Sequence, residues 1–327
     1  MTRQPHVGTR LTRIPLYAGP LPQLHPARPP WPGESHRSGG VALNVRHTPG
    51  PGRAELVVYL HGLGGSATNF TDLAGLVGAR HPGMAIDLPG FGRSAPPGGF
   101  DYAPDSHAEV IATFLAGLGH GSVHLVGNSL GGVVALLIAA RRPHLVRTLT
   151  LLAPAMPDLR IDPRRLSDPR VALTMLPIVG ARVRRILIET PPEEQIERML
   201  RLCFVDPSVI ASVRRVEAVA ECVERAALTW AVVALRQSTQ QLARSWLVRR
   251  SRSLWWVAAQ VKAPALVVWG AADKLVTVRK APRTAAALPR GRLLVLPRTG
   301  HLPQIEQPTS VARAMLGMID AVDRAVW

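Results

Sequence analysis

Short apolar runs, each bounded by glycine, proline or polar residues, recur along the chain and predict β-strands. Seven of them stand out, at residues 41–45, 56–60, 83–86, 123–126, 149–152, 266–269 and 293–296. Helix-like stretches separate most of these runs, and the last one, residues 308–322, has a proline in its first turn, where a helix tolerates it. The alternation predicts an α/β fold with a mainly parallel sheet and helices on both faces.

The alternation stops between residues 157 and 260. From Pro207 to Pro264 no proline or glycine intervenes, and apolar residues recur at helical spacing, which predicts two or three helices joined by short turns. We therefore expect a core of residues 41–156 and 261–327, with residues 157–260 inserted as a helical cap. The cap offers apolar side chains that either line a pocket or pack between helices: Met199, Trp230, Trp246, Trp255 and Trp256.

Residues 1–40 are rich in proline and arginine. Proline at this density excludes a regular helix or a central strand, so we expect an irregular arm. The pattern leaves open whether the arm packs over the core, contacts a partner or stays disordered. The segment lacks the apolar run of a secretory signal, and no stretch of the chain approaches the ~20 apolar residues of a membrane span. These patterns predict a cytoplasmic protein.

The formal net charge of +17 comes from arginines that are spread along the chain, often in pairs. A nucleic-acid-binding protein concentrates such charge in one patch, so we expect no nucleic-acid partner. A general arginine bias explains the total, and so does attraction of anionic substrates or peripheral attachment to an anionic membrane. Tryptophan and arginine in residues 245–256 suit the membrane interpretation.

Cys203 and Cys222 form no metal or disulfide framework and are expected to be packing residues. The oligomeric state stays open.

The sequence Gly127-Asn128-Ser129-Leu130-Gly131 lies between a predicted strand and a predicted helix. Glycines two positions on either side of Ser129 allow a tight turn that projects the hydroxyl at the helix N-terminus. A serine in this position is a candidate nucleophile. It needs a histidine as general base and a carboxylate that fixes the tautomer of that histidine.

Two histidines follow Ser129, namely His144 and His301. His144 follows Arg142 and Pro143 in what reads as an exposed helix end. His301 follows a predicted strand on a glycine-bearing loop, which favours it as the base. Among the carboxylates, Asp273 follows the apolar strand 266–269, where a parallel sheet presents its functional edge.

Asp158, which also follows a predicted strand, is the reserve candidate for the carboxylate. Most other carboxylates between the serine and His301 lie in arginine-rich helical sequence and are expected to be solvated ion-pair partners. The chain order Ser129, Asp273, His301 is the order expected for an α/β-hydrolase.

With these residues the chain resembles the α/β-hydrolase family, as a serine hydrolase with a helical cap. Two further stretches carry the resemblance, His61-Gly62-Leu63-Gly64-Gly65 and Asp87-Leu88-Pro89-Gly90-Phe91-Gly92-Arg93-Ser94, each after a predicted strand. The resemblance covers about residues 41–158 and 260–320. We interpret Asp87 and its glycines as scaffold and His61 as a structural hydrogen-bonding histidine. Asn128 either braces the turn or contacts substrate, and we favour the brace.

The resemblance implies that the backbone N–H groups of Leu63 and Leu130 stabilise the oxyanion of a tetrahedral intermediate. It further implies hydrolysis of an ester-like bond in a small or lipid-like substrate through an acyl-enzyme, without a metal or an organic cofactor. Serine at position 129 argues against the dehalogenase and epoxide-hydrolase branches, which use an aspartate there.

Two other functions remain open. Similar proteins hydrolyse carbon–carbon bonds of acidic ring-cleavage products with the same three residues, although they usually carry a proline in the turn that reads Gly62-Leu63-Gly64-Gly65 here. Others keep the fold to bind a ligand without turnover. Neither the acyl chain length nor a haloperoxidase-like side activity is specified by these patterns.

Overall fold

A computed structural model describes residues 13–25, 27–158 and 190–327. Its centre is one eight-stranded sheet in the order β1-β2-β4-β3-β5-β6-β7-β8. The strands are β1 Gly33–Ser38, β2 Val41–Thr48, β3 Val57–Leu60, β4 Gly83–Ile86, β5 Val123–Asn128, β6 Val146–Leu152, β7 Ala265–Gly270 and β8 Gly291–Leu296. Every predicted strand is present, and the α/β interpretation is confirmed.

Ten α-helices lie in the described residues: α1 Thr71–Gly78, α2 Pro104–Gly117, α3 Leu130–Arg141, α4 Pro192–Cys203, α5 Ser212–Ala226, α6 Ala231–Trp246, α7 Leu254–Ala258, α8 Ala281–Ala287, α9 Pro303–Glu306 and α10 Pro308–Asp323. Short 3-10 turns occur at Ala67–Phe70, Pro143–Leu145, Pro207–Val209, Arg250–Arg252 and Val278–Lys280. The predicted last helix is α10, and Pro308 lies in its first turn.

The strands from β4 to β8 run parallel, whereas β2 pairs antiparallel with both β1 and β4. Parallel strands point their carboxyl ends to one edge, where the loops after β3, β5, β7 and β8 meet. Helices α1 and α10 bury one face of the sheet. Helices α2, α3, α7 and α8 bury the other face. Residues 130–139 of α3 are buried throughout, which fixes this helix directly behind β5.

The expectation of an irregular arm over residues 1–40 is wrong for Gly33–Ser38, which form strand β1 at the edge of the sheet. An edge strand needs hydrogen bonds on one side only, so prolines just before it are tolerated. The arm also packs on the core. The backbone N–H of Tyr17 donates to Arg313 O at 2.9 Å, and a side chain at Gly317 of α10 would collide with the backbone of Pro15.

The insertion between β6 and β7 is helical where the structure describes it. Three helices lie between Pro207 and Pro264, as predicted, namely α5, α6 and α7, and α4 precedes them. Residues 159–189 of the expected cap lie outside the described residues. We call the described part, residues 190–260, the helical insertion.

Candidate active site

Ser129 lies in the tight turn between β5 and α3, with φ 52° and ψ −114°. This conformation is one that residues with a side chain rarely adopt, and such strain is typical of functional turns. The flanking glycines are required because a side chain would collide with neighbouring backbone, not because their φ angles demand glycine. A side chain at Gly127 would collide with the backbone of Gly131, and one at Gly131 would collide with Leu60 O. Only glycine lets β3, β5 and α3 approach so closely.

His301 and Asp273 are in direct contact. Nδ1 of His301 and Oδ2 of Asp273 are 2.8 Å apart, and the carboxylate is fully buried. The other carboxylate oxygen, Oδ1, accepts the backbone N–H groups of Leu275 and Val276 at 2.8 and 2.9 Å. The Asp273 carboxylate is therefore placed to accept a hydrogen bond from the Nδ1–H of His301.

Asn128 ties the serine turn to the histidine loop. Its Nδ2 donates to Leu152 O at 3.0 Å and to His301 O at 3.2 Å. Because Asn128 precedes Ser129 directly, these two bonds hold the serine turn and the histidine at a fixed separation. The contacts agree with the interpretation of Asn128 as a brace.

The loop after β3 lies against the serine turn. A Cβ at Gly62 would lie 3.0 Å from Ser129 Cβ, so glycine gives the serine turn room that a side chain would crowd. Leu63 follows in this loop, and Leu130 is the first residue of α3, where a helix N–H has no acceptor within the helix. The two backbone donors that the resemblance implies thus lie in the loop after β3 and at the start of α3. Both segments adjoin Ser129.

The histidine of this loop has a structural role. His61 is buried, its Nδ1–H donates to Gly62 O at 2.7 Å, and its Nε2 accepts the Leu88 N–H at 3.0 Å. Burial lowers the pKa of His61, which keeps the ring neutral. Asp87 accepts hydrogen bonds from Asn44, from Ala67 N–H and from Arg93 N–H, which agrees with its interpretation as scaffold.

The reserve candidates lie elsewhere. His144 is exposed. Asp158 is buried and pairs with Lys280 at 3.5 Å rather than with His301. Asp273 is therefore the carboxylate that the fold brings to the histidine.

The helical insertion contacts the histidine loop directly, through contacts that the sequence analysis missed. The His301 N–H donates to Cys203 O at 2.7 Å, at the end of α4. The carboxylate of Glu306 accepts the Gly300 N–H at 2.6 Å and the Val205 N–H at 3.0 Å. Glu306 thus binds the loop and the insertion together, although no local pattern in the sequence distinguishes it from a surface glutamate.

Both cysteines are buried and free, as expected of packing residues. Burial raises the pKa of the Cys203 thiol to about 12, and the neighbouring Asp273 carboxylate adds to the effect. The thiol therefore stays protonated near neutral pH and is not a candidate nucleophile.

The insertion also contacts the glycine loop beside Ser129. Arg225 donates to Gly64 O at 2.7 Å, and Ser66 Oγ donates to Glu221 at 2.9 Å. Burial raises the pKa of Glu221. Trp246 donates to Ala155 O at 3.1 Å, just beyond β6. Of the other tryptophans considered as pocket lining, Trp255 stacks on Arg283 and Trp256 is exposed.

An eight-stranded, mainly parallel sheet with a strained serine turn and a buried histidine–carboxylate pair at its carboxyl edge defines a hydrolase-type α/β protein. The chain belongs to the alpha/beta hydrolase family, whose model matches residues 57–314. The family assignment rests on most of the chain rather than on the serine motif alone.

Relatives within this family carry different names. The chain is 26% identical to a 2-hydroxy-6-oxononadienedioate/2-hydroxy-6-oxononatrienedioate hydrolase of Burkholderia vietnamiensis, over 85% of this chain and 91% of the relative. It is 24% identical to Lipase 3 of a Moraxella species, over 77% of this chain and 73% of that protein. The solved structure of a bacterial membrane phospholipase A superposes with a TM-score of 0.70 at 25% identity, covering 89% of this chain and 86% of the other.

Proposed function

We propose that this protein is a serine hydrolase that cleaves an ester-like bond of a small or lipid-like apolar substrate. The observation that carries the proposal is the 2.8 Å contact between His301 Nδ1 and the buried Asp273 carboxylate, beside the strained turn at Ser129. Relatives named as lipases support ester chemistry.

Catalysis begins with Ser129. Asp273 accepts a hydrogen bond from Nδ1–H of His301, so Nε2 carries a lone pair and acts as general base toward the serine hydroxyl. The Ser129 oxygen attacks the carbonyl carbon of the ester, and the hydroxyl proton passes to Nε2. Asp273 stabilises the resulting imidazolium and remains ionised.

The negative charge on the former carbonyl oxygen is held by the backbone N–H groups of Leu63 and Leu130. Donors of this kind typically contribute about 10²–10³ in turnover each. His301 then gives its proton to the departing alcohol, which leaves an acyl group on Ser129. A water, deprotonated by His301, releases the acid and restores the hydroxyl.

In this proposal the helical insertion is the cap of the hydrolase. It contacts both the histidine loop, through Cys203, and the glycine loop, through Arg225. A cap bound at both sides of the serine shapes the space into which the acyl chain enters. Neither the oxyanion step nor acyl transfer calls for a metal ion or organic cofactor.

The test compares the wild type with Ser129→Ala, using a fluorophosphonate label and nitrophenyl esters of graded chain length. We expect labelling to disappear and turnover to fall by about 10⁴-fold or more. Ser251→Ala, at an exposed serine of the insertion, is the matched control and should keep full labelling. A folded wild type that neither labels nor turns over any ester would contradict the proposal.

Carbon–carbon bond hydrolysis is the second candidate function. It is favoured by a relative of that class aligned over 85% of this chain. The net charge of +17 also suits an acidic substrate. Turnover of a vinylogous keto-acid that exceeds ester turnover, and that is lost in Ser129→Ala, would select this function over the first.

Ligand binding without turnover is the third hypothesis. It predicts tight binding with no product from either substrate class.

We further propose that the protein attaches peripherally, from the cytoplasm, to anionic membrane surfaces. No carboxylate occurs between Glu224 and Asp273. This stretch exposes apolar side chains and arginines together: Val232, Val233, Leu235, Leu247, Val248, Trp256, Arg236, Arg244, Arg249, Arg250 and Arg252. Within the described residues, no helix is long and apolar enough to cross a bilayer. Arginines near an anionic surface contribute about 1 kcal/mol each.

Co-sedimentation with phosphatidylcholine vesicles, with and without phosphatidylserine, tests the attachment. We expect binding to the anionic vesicles only, weakened by salt. The double variant Arg250→Gln/Arg252→Gln should lower the binding roughly tenfold or more. Arg37→Gln/Arg53→Gln, which removes two exposed arginines outside the insertion, should leave it nearly unchanged. Equal losses in the two double variants would reduce the attachment to net charge alone.

A further inference from the structure

Two histidines and a glutamate converge at the edge of the sheet, on the antiparallel pair β1–β2. Glu34 and His36 are two residues apart on β1, so their side chains leave the same face. The register pairs Glu34 with Val45 and His36 with Leu43, which places His47 on the same face of β2. This face packs toward α2, where the His36 ring meets Phe114 edge-on at 6.0 Å.

The three polar atoms form a closed triangle. His36 Nε2 lies 2.9 Å from Glu34 Oε1 and 3.0 Å from His47 Nε2, and His47 Nε2 lies 3.0 Å from the same Glu34 oxygen. Hydrogen bonds do not satisfy such a triangle. With one Nε2 protonated, the second Nε2 faces the carboxylate with lone pair against lone pair. With both protonated, both N–H groups can donate to Glu34 Oε1, but the 3.0 Å contact between the two nitrogens then has no hydrogen bond.

We propose that Glu34, His36 and His47 form a binding site for a divalent transition-metal ion, with Zn²⁺ as the best match. A cation bound against this triangle, out of the plane of the three atoms, turns all three close contacts into metal–ligand bonds. Imidazole nitrogen and carboxylate oxygen are ligands that Zn²⁺ takes at about 2.0–2.2 Å. Mg²⁺ and Ca²⁺ prefer oxygen ligands only, so the two imidazoles select against them. Water completes the tetrahedral set at the exposed side.

The site is separate from the catalytic machinery proposed above. Ser129 follows β5, which is three strands from β2 and four from β1. At about 4.8 Å per strand, this spacing is roughly 14–19 Å. We therefore assign the ion a structural role. Among the described strands, β1 pairs with β2 alone. A metal bound by residues of both strands fastens β1 to β2 in addition to their backbone hydrogen bonds.

The experiment measures Zn²⁺ binding to chelator-stripped protein, by competition with a chromophoric chelator, together with thermal unfolding. We expect one Zn²⁺ per chain and a rise in the unfolding midpoint, because an ion that binds the folded state stabilises it. Mg²⁺ should give neither. His36→Gln, His47→Gln and Glu34→Gln should each weaken Zn²⁺ binding about tenfold or more.

His144→Gln, at an exposed histidine outside the cluster, is the matched control and should bind like the wild type. Circular dichroism and ester turnover of each variant distinguish loss of the site from loss of the fold. The proposal is overturned if the stripped wild type binds no Zn²⁺, or if the three cluster variants bind it as tightly as His144→Gln. A midpoint rise of equal size with Mg²⁺ would likewise overturn it.

Discussion

The helical insertion has two halves that both bury apolar side chains against the core but differ in how their arginines are paired. The first half, α4 and α5, carries arginines that are paired with carboxylates, such as Arg198 with Glu194 and Arg214 with both Asp72 and Glu217. The second half, α6 and α7, carries arginines without a carboxylate in its own sequence and exposes apolar side chains. Helix α6 packs on α2, with Ala234 against Gly90, and Leu242, Leu254 and Val257 of this half join the main apolar core.

The difference indicates that the two halves have different roles. Charged contacts are directional, so the α4–α5 half holds the loops of His301 and Gly64 at defined positions. Apolar packing is tolerant of small shifts, so the α6–α7 half can adapt to substrate or to a surface. We expect substitutions in the first half to affect stability and turnover, and substitutions in the second half to affect binding.

The largest effect is expected at Arg214. Its guanidinium is 10% exposed and contacts Asp72, Glu217 and the backbone of Arg28. Arg214→Met leaves two carboxylates without their cation and should lower the free energy of unfolding by about 3 kcal/mol. Arg236→Met, at an exposed arginine of α6, should change it by less than about 0.5 kcal/mol. Denaturant titration measures both, and equal losses would remove the distinction between the two halves.

Helix α2, on which α6 packs, contains a histidine that is buried in its neutral form. His107 is buried near Phe91 and Phe100, neither ring nitrogen has a partner in the described residues, and burial lowers its pKa to about 3. The unfolded chain takes up the proton near pH 6.5, so stability is lost as the pH falls from there toward 3. Between pH 7 and pH 5 the loss from this residue is about 2 kcal/mol.

His107→Phe should remove that part of the acid sensitivity. Unfolding at pH 7 and at pH 5 measures it, with His144→Phe as the exposed control. If the variant loses as much stability between the two pH values as the wild type, burial of neutral His107 is not the cause of the acid sensitivity.

A smaller effect is expected where the first half meets the histidine loop. Glu306→Gln keeps one acceptor oxygen and loses the second, so either Gly300 or Val205 loses its partner. We expect kcat for an ester to fall about tenfold with KM nearly unchanged, because His301 is displaced rather than removed. Glu193→Gln, on the exposed start of α4, serves as the control. A change in KM alone would assign Glu306 to substrate binding instead of loop positioning.

The sequence predicted the strands and the candidate residues because both depend on local patterns. Gly127, Ser129 and Gly131 are close in sequence, and Asp273 and His301 each follow a strand that an apolar run identifies. The contact of Glu306 with Val205 joins residues about a hundred positions apart, and no local pattern encodes it. Strand β1 was missed because prolines precede it and its own residues are mostly polar, as an edge strand allows.

The conformation of Ser129 lowers the stability of the protein, whereas its hydroxyl is proposed to be required for activity. A residue held at φ 52° and ψ −114° costs about 1–3 kcal/mol, and glycine adopts this conformation without that cost. Ser129→Gly should therefore melt above the wild type while lacking the proposed nucleophile. A library of this protein selected for survival of heating alone would be enriched in inactive molecules at position 129, so a useful thermostability screen has to score turnover at the same time.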